Sequence, residues 1–540
     1  MVFGQRLSRF PESNHTSIEA FAIMRQWTYV ALLITSFLAF VSPADISDAA
    51  LDGFSNGGTP ANFMSSLGVR AVAPMYAVIP MEGKNLTVSL TLWLRRVGAT
   101  GSPYGMPHQS KDAIRILVWV DNPADLQLRK YGHLLLPAEQ GVWQPELLLE
   151  TVQPGPILPA KLEYGKKQIN EIGDPRVRPY TFRVELPAGA GNCFKVIETS
   201  YPKHKAPLCL PPAAGDGVCA TLAPATQYTD MAPALWFAIG PTRDFKSTRD
   251  WRGFQISVAT RVSSFLSYHI AMNTTGLLLY VDELMRLYLM NIPDLRQYVE
   301  AGTLRLIDWL MNERAHDDND GRGRPLGYNY DQALFAGHAL LGLSACGANL
   351  MLVMTDLDEF LYTPQPGIRW PEPYKNCLSH MNTEGKLPIA QFKLQRVEVV
   401  STKWHPVNEH ELWSDPGRSL PRFVSAVSGG DSGVPTVLKG TLSPRHPLAE
   451  YDWIYKEPLS LFHTKPVIVP AAEHVLFFVH EGVPVHGRSQ LVDISCLTML
   501  HVVNQFKSRR NDSVDHTYKL REFRHWLFSE DGASFKGAGH

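Results

Sequence analysis

Between residues 76 and 201 apolar and polar residues alternate in short runs: 86–93 reads LTVSLTLW, 114–120 IRILVWV and 180–186 YTFRVEL. A period of two marks a strand with one face in a core. This stretch is therefore expected to form an all-β module, a sandwich being one way to cover the apolar face.

After residue 251 the pattern changes. Residues 254–260 (FQISVAT) read as a strand and 262–272 as a helix. A strand at 277–281 (LLLYV), a helix at 283–290 and a third strand at 304–309 follow, then a long amphipathic helix at 332–345 and a fourth strand at 350–354 (LMLVM). Short apolar strands without alternation, separated by helices, predict a parallel sheet covered on both faces. In such sheets ligands bind outside the carboxyl ends of the strands. The residues expected there are Arg261, Asp282, Asp356 and Asp358.

The flanks complete the plan. Residues 26–44 carry no charge, with Arg6, Arg9 and Arg25 before them and Asp45 and Asp48 after. That asymmetry predicts a cytosolic tail (1–25) and a lumenal remainder. Ser42-Pro43-Ala44 equally suits a signal-peptide cleavage site, so anchor and signal peptide both stand. Residues 45–75 read as a stem and 202–250, rich in Pro and Gly, as a connector. Residues 251–525 form the α/β domain and 526–540 a tail. Lys and Arg total 51 against 52 Asp and Glu, a net charge of -1, which provides no field for a phosphate backbone and argues against a nucleic-acid partner. Six cysteines lack zinc spacing and predict disulfides in an oxidising compartment. The sequons at Asn85, Asn273 and Asn511 fit that compartment.

The chemistry concentrates in Met354-Thr355-Asp356-Leu357-Asp358-Glu359-Phe360. Two carboxylates one residue apart, in a turn after a buried strand, can face one hard cation, Mn²⁺ or Mg²⁺, whose shell phosphate oxygens and water complete. In a sugar transferase that cation grips the donor diphosphate and stabilises charge as it leaves.

Three segments resemble glycosyltransferase family 92, once called domain of unknown function 23: 264–281 (SFLSYHIAMNTTGLLLYV), 330–360 (YDQALFAGHALLGLSACGANLMLVMTDLDEF) and 461–480 (LFHTKPVIVPAAEHVLFFVH). A weaker match covers 497–510, with His501 where the family often has His-Tyr. The resemblance implies a GT-A (Rossmann-like) fold and inverting transfer of a hexose, often galactose, from a UDP-sugar to a glycan or polysaccharide. With the uncharged N-terminal segment read as an anchor, the expectation is a Golgi or secretory-pathway type II protein held in the membrane by that segment. By the resemblance Asp356 and Asp358 are the metal pair and His480 a third ligand, Arg261, Tyr280 and Asp282 line the donor, and Lys465 contacts phosphate. The sequence departs from the family at 279–283, which lacks the usual Asn or Ser, at Ala339 in place of a common Cys, and along 395–450.

Inversion needs a base for the acceptor hydroxyl. Glu398, Glu409, Glu411 and Asp415 are the candidates; Asp415 follows Trp413, whose ring can stack a sugar. The rival from another class is a secreted or lumenal carbohydrate-binding protein with an inactive transferase-like domain. The intact Asp356/Asp358 pair with Lys465 and His480 favours the enzyme. Other motifs fall away. Gly430-Asp431-Ser432-Gly433 resembles a serine-protease loop, but His338 upstream lies in a helical pattern. A dehalogenase-type phosphatase carries its paired acids at the first strand. The run from His316 to Gly327 fails as a calcium loop at positions one and twelve. His474 and His486 read as satisfied or surface histidines.

Overall fold

The alternating N-terminal stretch closes into two facing antiparallel sheets. The computed structural model describes residues 63–81, 84–97, 112–121, 144–152, 155–165, 177–210, 216–222, 233–240, 251–309, 328–347, 349–379, 381, 386–401, 446–458, 463–478, 481–502 and 520–528. Strands β1 (Arg70–Met81), β2 (Lys84–Val97), β3 (Ala113–Asp121), β6 (Lys161–Gly165) and β7 (Val177–Glu185) form one sheet, in the order β1-β2-β3-β7-β6. Strands β4 (Leu147–Thr151), β5 (Ile157–Pro159), β8 (Cys193–Glu198) and β9 (Lys205–Cys209) form the other. Val88, Leu90, Leu92 and Leu94 of β2 meet Leu147, Leu149, Phe194 and Val196 of the second sheet in one core. The sandwich thus runs from Arg70 to Cys209, beyond the 76–201 limits read from the alternation.

The stretch expected to be a connector holds more than that. It contains β9, tied to β8 by Cys193–Cys209, and β10 (Ala234–Ile239), whose six residues are all buried. Strand β10 is central in a seven-stranded sheet of order β12-β11-β10-β13-β18-β15-β21. The other strands of that sheet are β11 (Gly276–Val281), β12 (Leu304–Asp308), β13 (Leu350–Thr355), β15 (Ile389–Leu394), β18 (Lys465–Ile468) and β21 (Arg488–Leu491), of which β11 and β13 pair with β10. The strands β10 to β13 are parallel, and β18 enters antiparallel between β13 and β15. Counted from β10, the order runs 3-2-1-4 and reverses between β10 and β13, the switch point at which open α/β sheets leave a crevice.

Residues 254–260, expected as a strand, lie instead in a helix (Trp251–Ala271). Ile256, Val258 and Thr260 favour strands, but from Ser257 to Ala271 every residue except Arg261 is buried. A helix enclosed on all sides shows no apolar stripe, and packing overrides propensity. The helix Tyr328–Leu343 is likewise covered on both sides rather than amphipathic, because the sandwich docks on it. Trp93 of β2 stacks on Trp309 at 5.0 Å, Trp119 of β3 lies 6.2 Å from the same ring, and His338 meets Trp93 edge-on at 5.6 Å. Arg95 donates to the Leu67 and Leu341 carbonyls, and Arg115 pairs with Glu163 and Glu473. His474 is buried at this junction with neither ring nitrogen hydrogen-bonded among the described residues, so it is neither the satisfied nor the surface histidine expected.

Beyond the main sheet, β14 (Glu359–Tyr362), β22 (Thr498–Val502), β16 (Arg396–Val400), β17 (Trp453–Tyr455) and β23 (Leu520–Glu522) form a five-stranded sheet, and β19 (His474–Phe478) pairs with β20 (Glu481–Pro484). All six cysteines pair: Cys193–Cys209, Cys219–Cys346 and Cys377–Cys496. No described helix is long and apolar enough to cross a membrane, and residues 26–44 lie outside the described residues. The described chain is a mixed α/β protein preceded by β structure.

Candidate active site

Strand β13 is buried along all six residues, LMLVMT. It ends where the main sheet ends, and the next strand, β14, belongs to the five-stranded sheet. The turn between them is Asp356-Leu357-Asp358. It is fixed from both sides: the Glu359 amide donates to the Asp356 carbonyl at 3.1 Å, and the Val502 amide to the Asp358 carbonyl at 2.8 Å. Behind it, the Tyr268 hydroxyl donates to the Leu361 carbonyl at 2.8 Å, and the Leu361 amide donates to His269 Nε2 at 3.2 Å. The paired aspartates therefore project at the carboxyl end of β13, beside the reversal of strand order.

Antiparallel entry of β18 brings in a cation. Leu352 pairs with Ile468 and Val353 with Val467, so the register carries Lys465, the first residue of β18, to the last residue of β13. Its Nζ lies 2.9 Å from Asp356 Oδ2 and 2.8 Å from Glu359 Oε2, and its side chain is 2% exposed. Glu359 is fully buried and satisfied: it accepts from Thr355 Oγ1 at 2.9 Å and the Asp356 amide at 3.0 Å, with Arg396 at 3.3 Å. Burial alone would raise its pKa, but Lys465, then His501 and Arg396, hold it down to about 2. Burial likewise opposes the charge on Lys465, and Asp356 and Glu359 outweigh it, raising the pKa of the ammonium.

Asp358 is in a different state. Burial raises its pKa, Asp356 and Glu359 push the same way, and His501 and Arg261 work against the rise. His501 Nε2 stands 3.8 Å from Asp358 Oδ2, beyond hydrogen-bond length. Strand β22 sets His501 opposite Glu359 on one side and Glu398 on the other. Its Nδ1 lies 3.3 Å from Glu398 Oε1.

The fold thus gathers Asp356, Asp358, Lys465 and, through its charge on Asp358, Arg261, which arrives on a helix and not at a strand end. Glu398 joins them by way of His501. Asp282 follows β11 as expected, but its Oδ1 caps the next helix by accepting from the Met285 amide at 2.7 Å. Tyr280 is not among the gathered residues: it is fully buried, and its hydroxyl bonds His338 Nδ1 at 3.0 Å. Asp415, Glu409, Glu411 and His480 lie outside the described residues, as do the loops at 316–327 and 430–435.

Glu359 and Arg396 were not singled out from the sequence, and His501 only as a variation within the resemblance. The available signal was the acid following Asp-Leu-Asp, with the strand-like 497–502 run.

The donor set suits a hard divalent cation. Asp358, 26% exposed, is short of positive charge, and Asp356, 44% exposed, gives one oxygen to Lys465. Among the described residues no group of three or more His, Cys, Asp and Glu side chains converges on a metal position. Two carboxylates are a sufficient protein share for Mg²⁺ or Mn²⁺ when phosphate oxygens and water complete the shell. Set against known proteins, the chain matches no family model and no curated protein.

Proposed function

We propose that this chain is a metal-dependent, inverting glycosyltransferase of the GT-A type, moving a hexose from a UDP-sugar to a hydroxyl of a glycan or polysaccharide. The observation that carries the proposal is the Asp-Leu-Asp turn at the carboxyl end of β13, beside the strand-order reversal, with a buried lysine clasping its first acid. Open α/β sheets bind nucleotides at that position. Galactose as the sugar rests on the resemblance to family 92. A Golgi or secretory-pathway setting, with residues 26–44 as the membrane segment, is supported by the pairing of all six cysteines.

Asp356 and Asp358 would hold Mn²⁺ or Mg²⁺, which when bound supplies Lewis-acid stabilisation of the departing diphosphate. Lys465 fixes the Asp356 carboxylate and sets a permanent positive charge at the edge where the diphosphate would lie. Arg261 adds a second cation on the Asp358 side. Glu359 takes no part in contact: it keeps Lys465 and Arg396 charged and in place. His501 contacts Glu398 and acts on the second acid of the pair, Asp358, through charge alone. The base for the acceptor hydroxyl is assigned to Glu398 or Asp415.

The test is release of UDP from a panel of UDP-hexoses by the full chain, with Mn²⁺ and with a chelator. Mn²⁺-dependent release from one UDP-hexose is expected. No release from any donor, together with retained binding to a glycan array, would overturn the proposal in favour of a carbohydrate-binding protein.

A further inference from the structure

We propose that Asn85 carries an N-linked oligosaccharide and that Asn273, in the other described sequon, does not. In Asn85-Leu86-Thr87 both Asn85 and Thr87 are exposed. Alternation along β2 explains why: Val88, Leu90, Leu92 and Leu94 face the sandwich core, so the odd-numbered residues face outward. Farther along the same outward face Trp93 and Arg95 are covered by the docked α/β part. Asn85 is eight residues from Trp93, about 27 Å along a strand at some 3.4 Å per residue, clear of that contact.

Asn85 also pairs in register with Pro80 of β1, the twelve-residue strand at the sheet's edge. Long edge strands invite pairing with another chain, and β1 already counters this with Pro74, Pro80 and a bulge between Val72 and Met75. A bulky, hydrated glycan one strand away obstructs that approach.

Asn273 is placed differently. It sits at φ 63° in the tight turn before β11, and its Nδ2 donates to the Trp370 carbonyl at 2.7 Å. Thr274 is buried, with its hydroxyl donating to the His269 carbonyl at 2.8 Å. A sugar on that nitrogen would be built at an atom already in contact with another segment's main chain.

The co-substrate is a lipid-diphosphate-linked oligosaccharide. The Asn85 amide nitrogen attacks C1 of its first sugar, the N–C1 bond forms as the C1–O bond to phosphate breaks, and the lipid diphosphate leaves. One amide proton goes to solvent, and nothing is oxidised or reduced. The inference rests on the lumenal setting proposed above but not on the catalytic activity, because it uses none of that site's residues.

The full chain, secreted or retained by a eukaryotic host, is digested and treated with peptide N-glycosidase in ¹⁸O-water, which marks each formerly glycosylated asparagine. The mark is expected at position 85 and not at 273, and Thr87→Ala is expected to abolish it at 85 while the protein still folds. An unmarked Asn85, or a marked Asn273, overturns the proposal.

Discussion

Replacing Lys465 with methionine isolates the charged core behind the Asp-Leu-Asp turn. Methionine keeps much of the apolar stem but removes the ammonium 2.9 Å from Asp356 and 2.8 Å from Glu359. Asp356, 44% exposed, can turn to water; Glu359, 0% exposed, keeps of its charged partners only Arg396 at 3.3 Å and the charge of His501. Two routes give the size of the effect. Stripping one partner from a buried pair costs about 3–5 kcal/mol. The lowering of Glu359 from 4.5 to about 2 is of the same order, about 3 kcal/mol at 1.36 kcal/mol per pH unit, and is the net of burial against Lys465, His501 and Arg396 together. Lys465 is the largest contributor to that lowering, and the same interaction seen from the lysine is not added again. For a depressed carboxylate the stabilisation is complete above its unfolded pKa and is lost as pH falls through about 2, so it is fully present at neutral pH.

The assay is guanidinium unfolding at neutral pH, followed by tryptophan fluorescence, for wild type, Lys465→Met, Glu359→Gln and the double variant. Lys465→Met is expected to lose about 3 kcal/mol or more, and the double variant less than the sum of the single losses, with a coupling of about 2 kcal/mol. A Lys465→Met protein within about 1 kcal/mol of wild type, or strictly additive losses, would refute the reasoning.

Other outcomes follow from the same geometry. Burial lowers His269, His338, His474 and His525 to about 3 and His446 to about 4. The unfolded chain binds these protons near pH 6.5 and the native state does not, so stability is present above 6.5 and falls below it. The loss reaches up to about 1.4 kcal/mol per histidine between pH 7.5 and 5.5, and an unchanged guanidinium midpoint across that interval would contradict it. Trp93→Ala removes a buried ring stacked on Trp309 and is expected to cost about 3–5 kcal/mol, read by unfolding and by faster proteolysis between the sandwich and the α/β part. Tyr280→Phe leaves His338 Nδ1 without its partner and is expected to cost about 1–3 kcal/mol. The same variant should leave the dissociation constant for a UDP-sugar unchanged; a weakened constant with intact stability would put Tyr280 back at the donor.

The strongest sequence signals were those with one face or none exposed. Strand β13 announced itself by five consecutive apolar residues ahead of two acids, and β2 by strict alternation ending in a core. Strand β10, equally apolar, was hidden because ALWFAI stands between prolines in a Pro/Gly-rich stretch, where a short apolar run has no period to separate strand from helix. The first half of the Trp251–Ala271 helix failed for the opposite reason: from Ser257 on every residue but Arg261 is buried, which leaves no apolar stripe, and its β-branched residues point locally to a strand. Tyr280 shows a further limit. In a strand with both faces covered, alternation places Tyr280 opposite Leu279 and Val281 but cannot say which face lies toward the ligand edge. Lys465 was picked out by resemblance, but its clasp on Asp356 depends on an antiparallel register across more than a hundred residues. The same holds for His501, set between two acids by β22.

The central claim is that Asp356 and Asp358 form the cation-dependent half of a nucleotide-sugar site. It is tested most directly by the melting temperature of the full chain with a UDP-hexose, with and without Mn²⁺, in wild type and Asp358→Ala. A donor at a hundred times its dissociation constant should add about 2.7 kcal/mol of stability. The expected result is a stabilisation that requires Mn²⁺, favours one UDP-hexose and is absent in Asp358→Ala, although that variant folds. The same stabilisation in Asp358→Ala, or none with any UDP-hexose in wild type, would contradict the claim.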